Sequence, residues 1–159
     1  MKHTLSRHPT PELQILLDLL EEAFDRKSWH GPNLRGSLRG VTPEQAVWRP
    51  QGDRHSIRDL ALHAAYWKYV ARRRLTGEKR GSFALAGHNF FEQPVELSAA
   101  AWKQDVRILE IEHQRLREAI ADLSAEKWTP AAFHMIRGAA AHDLYHAGQI
   151  RLLRRLCPI

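Results

Sequence analysis

The stretch "HDLYHAGQI" at 142–150 places His142 and His146 four residues apart. On a helix that spacing stacks both imidazoles on one side. The same stripe runs on through Gln149, Ile150 and Leu153, where a folded domain keeps its apolar side chains. A third histidine, His63, lies in "SIRDLALHAAYW" (56–67) on a stripe with Leu60, Ala64 and Trp67. Three imidazoles inside one core each need a hydrogen-bond partner, and burial disfavours their protonated forms. A divalent cation meets both demands, because neutral imidazole nitrogen is a good ligand for it. The i, i+4 pair can reach one ion and a facing helix can supply the third nitrogen. His63, His142 and His146 are therefore the candidate metal ligands.

Three protein ligands leave at least one coordination position open, as catalytic rather than structural sites do. All three are neutral, so the ion keeps its charge. That charge lowers the pKa of a bound water toward about 7 in the best zinc cases and deprotonates a bound thiol outright. Hydroxide attack would make a hydrolase. Thiolate attack on an electrophile would make a thiol transferase or a thiol-dependent isomerase. A non-catalytic, metal-stabilised binding or stress-response module is the third reading. Imidazole ligands suit zinc or nickel first, with copper, iron and manganese also compatible. No residue stands out as a general base, so the catalytic residues stay unknown at this point. Asp143 lies about 100° round the helix from His142 and reads as a surface charge. Gln149, one turn beyond His146, could hydrogen-bond a ligand or substrate, or simply fill the core. Trp67 would wall the pocket.

The remaining histidines read differently. His3, His8, His30, His55 and His88 fall in termini or loops and are expected in water, as is His134 at the start of the last helix. His113 sits on an inner stripe alone, the pattern of a hydrogen-bonded structural histidine.

Helices must position these groups. Thr10 and Pro11 make an N-cap and a first-turn proline, followed by an apolar face of Leu13, Leu16, Leu17, Leu20 and Phe24 that carries the helix to about 27. The segment 30–40 contains Gly31, Pro32, Gly36 and Gly40 and reads as loop. Thr42-Pro43 starts a short helix that Pro50 stops. Ser56 and Asp59 form a capping box for a second long helix that ends near Gly77. Residues 78–97 keep no helical period, and a connection of that length is often functional. Ser98 caps a third helix with Trp102, Val106, Leu109, His113, Leu116 and Ile120 on one face, and a fourth runs from about 134 to Leu156. No alternating strand pattern or repeat appears. The expected fold is all-α: a four-helix bundle with a short extra helix and a long connection between the second and third long helices, residues 1–159 forming a single domain.

Composition limits the function classes. The formal charge of +6 raises nucleic acid as a partner. The clusters "ARRR" (71–74) and "RLLRR" (151–155), however, close helices, where the dipole and free carbonyls favour cations. With no zinc finger, stacking motif or recognition helix in sight, nucleic acid is not expected. No apolar run approaches the roughly 18 residues that cross a bilayer, and no signal-peptide segment opens the chain, so no membrane association is expected. The single cysteine, Cys157, rules out an internal disulfide and agrees with a cytoplasmic protein, with Cys157 itself inert.

The motifs also carry a family resemblance. "WRP" (48–50), "SIRDLALHAAYW" (56–67) and "HDLYHAGQI" (142–150) resemble the DinB/YfiT-like superfamily of small helical bundles that hold a metal with three histidines. The resemblance spans nearly the whole domain. It implies ligands at His63, His142 and His146, the same residues that the stripes pick out. It further implies a low-molecular-weight thiol as cosubstrate, an S-transferase ahead of a hydrolase, a small-molecule substrate and a homodimer. Apolar residues of the 83–97 connection, including "NFFEQ" (89–93), would supply the dimer contact.

Overall fold

The computed structural model describes residues 10–92 and 97–159, and its regular elements are all helical. They are α1 (Pro11–Phe24), α2 (Leu34–Leu38), α3 (Pro43–Val47), α4 (Ile57–Thr76), α5 (Ala99–Ala121) and α6 (Pro130–Leu156), with a 3₁₀ turn at Ala125–Lys127. Among the described residues an isolated bridge between His88 and Phe90 is the nearest approach to a strand. The caps act as read. The Ser56 hydroxyl accepts the Asp59 N–H while the Asp59 carboxylate accepts the Ser56 N–H, and α4 stops at Gly77 with φ +83°, a conformation glycine adopts without strain.

Three boundaries differ from expectation. The glycine-containing segment 30–40 carries α2, because the Asn33 side chain caps it at Gly36 N–H (2.8 Å) and Leu34 and Leu38 are buried. Tertiary burial there overrides the poor propensity of Gly36. The last helix begins at Pro130, four residues early, since Thr129 and Pro130 repeat the cap-and-proline device of Thr10 and Pro11. The first helix ends at Phe24 instead of 27.

The four long helices pack in a closed order, with α4 against α5 and α6, and α1 against α6 and α5; α2 covers α6 and α3 covers α4. Their apolar side chains form two clusters. One joins Leu60, Ala64, Ala65, Leu109, Ala147 and Ile150. The other joins Leu16, Leu20, Ala71, Leu116, Ile136 and Ala140. Between them, along α4, α5 and α6, lie the buried polar residues Lys68, Glu112, His113 and Asp143.

The long connection after Gly77 has no helix, as expected, but it is not a free apolar surface. Phe91 is buried in the first cluster, Phe83 and Leu85 pack against it, and the Gly81 N–H donates to the Tyr69 hydroxyl at 3.0 Å. Of the aromatics named for a dimer contact, Phe91 is thus buried in the chain's own core, while half-buried Phe90 stacks on His55 and His63. Gln93, like His3 and His8, lies outside the described residues.

Candidate metal centre

His63 faces inward from the second turn of α4, and His142 and His146 face it from the middle of α6. The Nε2 atoms of His63 and His142 are 3.1 Å apart, and those of His142 and His146 are 3.0 Å apart. One ring nitrogen from each residue lies within 4.8 Å of the others. Nitrogens bound to one ion at about 2.0–2.1 Å sit about 2.9–3.4 Å from each other for angles between square and tetrahedral.

Proton counting favours a cation over a purely internal network. A neutral imidazole has one N–H. The Nδ1 of His63 is 3.2 Å from the Asn89 carbonyl oxygen, and the Nδ1 of His146 is 2.6 Å from the Gln149 amide oxygen. Both partners are acceptors, so both N–H groups sit on the outer nitrogens and both Nε2 lone pairs turn inward. Two bare lone pairs then meet His142 Nε2, which has at most one proton to offer. A metal ion would satisfy all three.

The surroundings keep the rings neutral. Burial first, then each other's charge, pushes His142 down to about 3, and burial likewise takes His146 to about 4 in spite of Gln149. Burial also lowers His63 against the pull of Asn89. Aromatic rings complete the shell. Phe90 stacks on His63 at 4.3 Å, Tyr145 meets His146 edge-on at 5.1 Å, and Trp67 lies edge-on to both His63 and His142 at 6.3 and 6.4 Å. Trp67 and Tyr145 are exposed, so the triad lies near the surface and is flanked by aromatics.

The sequence reading named the three histidines that converge, and it set His113 apart correctly: that ring is buried, stacked on Phe24 at 3.7 Å and directed at Glu21, far from any shared nitrogen cluster. Gln149 accepts a hydrogen bond from His146 Nδ1 through its side-chain oxygen. Asp143 corrects the reading. It is 1% exposed, not a surface charge, and its Oδ2 accepts from Lys68 Nζ at 2.5 Å. A 100° offset from His142 leads to another buried face of α6, because α6 packs against both α1 and α4. His30, His55, His88 and His134 are exposed as expected, though His55 stacks on Phe90 at 3.7 Å.

Two contributors were missed. Lys68 continues the α4 stripe of Ala61, Ala64 and Ala65, so its period already marked it as buried. Asn89 has φ +61°, an uncommon left-handed conformation for a residue other than glycine. That turn aims its carbonyl at His63 while its side-chain oxygen accepts from Trp67 Nε1 at 3.0 Å. Only the local asparagine preference for such a turn could have signalled it.

A family model for the DinB superfamily matches residues 28–150, which contain all three histidines and most of α4, α5 and α6. The chain belongs to the DinB superfamily. Among curated proteins and among solved structures, no significant match was found. Among the described residues, no helix of this DinB protein is long and apolar enough to cross a membrane.

Proposed function

We propose that this DinB protein holds one divalent metal, zinc or nickel, through Nε2 of His63, His142 and His146. We further propose that it is an enzyme activating a low-molecular-weight thiol for transfer to a small electrophilic substrate. The observation that carries the reading is the convergence of three ring nitrogens, with the outer N–H groups of His63 and His146 already engaged so that their inner lone pairs meet at His142. A divalent cation held there would supply Lewis-acid charge that favours thiolate over thiol at the open position.

The residues around the triad favour the thiol over water. Phe90, Trp67, Tyr145, Gln149 and Asn89 contact the histidines, and none is a carboxylate or other strong base. The neighbouring carboxylate, Asp143, is turned away and ion-paired with Lys68. Hydrolysis needs a group to manage protons on water and leaving group. A nucleophile that arrives as thiolate needs no such base. The chain's own residues orient the site: Asn89 and Gln149 hold the imidazoles, and Trp67, Phe90 and Tyr145 exclude water beside them.

The test is metal-loaded protein given a chromogenic aryl halide with and without a small thiol. Conjugation that needs both metal and thiol, and that His63→Ala abolishes, supports the reading. Turnover of ester substrates without thiol would make the protein a hydrolase, and inertness in both assays would leave a metal-stabilised binding module. Metal analysis of untagged protein reads the ligand set directly, at about one equivalent for wild type and far less for each histidine-to-alanine variant. His113→Ala keeps the equivalent.

The same reading takes the four long helices as one four-helix bundle and residues 1–159 as a single cytoplasmic domain. It also places a homodimer on the exposed apolar side of α6, where Tyr145, Leu152 and Leu156 stand in water. Sedimentation of a clean monomer at micromolar concentration would remove the dimer.

A further inference from the structure

A cleft of about 670 Å³ lies between the outer face of α4 and the connection after Gly77. Tyr66, Trp67, Tyr69 and Phe83 wall it on the apolar side, while Arg73, Arg74 and Arg80 line it as cations. No carboxylate is among its lining residues.

The charge balance of this cleft differs from that of its neighbour. One residue before Arg73, Arg72 reaches Glu78, and its Nε lies 3.5 Å from a Glu112 oxygen. Among the described residues Arg73, Arg74 and Arg80 form no ion pair within 4.0 Å. Three like charges around one cavity repel. The helix dipole explains two arginines in the last turn of α4, but Arg80 belongs to the connection, held over the cleft by the Gly81 N–H on Tyr69. A bound anion would offset the repulsion among Arg73, Arg74 and Arg80.

The cleft also touches the histidine centre. Trp67 and Asn89 line it, and they are the residues that flank and orient His63. We propose that this cleft binds the carboxylate or phosphate group of a small organic molecule, whose apolar or aromatic body lies on Tyr66, Trp67 and Phe83. The link to chemistry rests on the thiol-transfer reading: such a molecule would be the thiol or the electrophile, anchored by its anion beside the triad. The anion site itself stands on the cleft alone.

Calorimetric titration of metal-free protein tests it, with hippurate as an aryl carboxylate, phenyl phosphate as an aryl phosphate, and hippuramide as the neutral match of hippurate. The expected result is one equivalent of hippurate or phenyl phosphate with Kd below about 1 mM, weakened by salt, and hippuramide at least about tenfold weaker. Arg74→Gln and Arg80→Gln, both at exposed positions that leave the core untouched, should each weaken the acids about tenfold. The tighter of the two acids identifies the anionic group. The titration uses metal-free protein, so the anion site can stand even if the metal assay fails. Acids that do not bind below about 10 mM, arginine variants equal to wild type, or hippuramide binding as tightly as hippurate would overturn the proposal.

Discussion

Asp143→Asn tests the buried pair that joins α6 to α4. Lys68 is 2% exposed and Asp143 1%, with Nζ and Oδ2 2.5 Å apart. At an effective dielectric of about 20, unit charges at that distance attract by about 6–7 kcal/mol. Removing the Asp143 charge forfeits most of that and leaves a buried ammonium with only an amide oxygen and the Phe24 ring, 5.0 Å below Nζ. After relaxation the expected loss is about 3–5 kcal/mol, the range for breaking a buried pair on one side. Lys68→Met should cost less. Burial already pushes the Asp143 carboxyl up to about 6 even with Lys68 beside it, so without the lysine it escapes by taking a proton. The sign follows: a carboxyl raised in the fold loses stability as pH rises above its unfolded value near 3.8, so Lys68→Met is less harmed at pH 5 than at pH 7. The double variant Lys68→Met with Asp143→Leu buries no charge. Since burial outweighs attraction at Asp143, it should return to wild-type stability or exceed it by about 1–4 kcal/mol. Urea midpoints for wild type and the three variants, metal-free at pH 7 and pH 5, read these costs. A cost below about 1 kcal/mol for Asp143→Asn, or a double variant less stable than Lys68→Met, would refute the reasoning.

Two more perturbations separate the core from the site. Burial, with Lys68 and Arg117 nearby, holds His113 down at about 2, and the adjacent Glu21 offers little relief because Arg117 engages it at 3.0 Å. The stability due to a neutral His113 is full above about pH 6.5 and is lost as pH falls toward that folded value, about 1.4 kcal/mol per unit. Acid unfolding of metal-free His113→Gln should show a shallower slope by that amount between about pH 6 and 4, and equal slopes would count against it. Gln149→Ala frees the Nδ1 of His146 while leaving all three ligands in place. Competition with a chromophoric chelator should show metal affinity reduced about 10–100-fold with unchanged stoichiometry.

The helices were legible because periodicity and caps agree, as at Ser56 with Asp59 and Thr10 with Pro11. The triad was legible for a related reason: polar residues on an apolar stripe stand out, and three of one ligand type point to a common partner. The failures came where tertiary burial decides. The angular distance of Asp143 from His142 round one helix points to solvent, yet α6 is enclosed from two sides and its neighbouring face is buried too. α2 is hidden in the sequence by Gly36 within it and by Gly31 and Gly40 on either side. Arg73 and Arg74 read as helix-end charges because only folding brings Arg80 into the same cleft.

The buried pair also bears on the site through geometry. Apolar layers tolerate one helix sliding along another, since any methyl can replace any other at modest cost. A buried charge pair does not, because a slip of one helical turn, about 5.4 Å, parts the charges inside a dry core. Lys68 is on α4 five residues after His63, and Asp143 is on α6 next to His142. The register that joins the ions is therefore the register that brings His63 opposite His142 and His146. On this hypothesis the pair is retained for alignment and not for stability. The double apolar variant should then keep or gain stability yet bind zinc about tenfold more weakly, as α6 samples neighbouring registers. If that variant binds zinc as tightly as wild type, packing alone sets the alignment and the pair has no part in it.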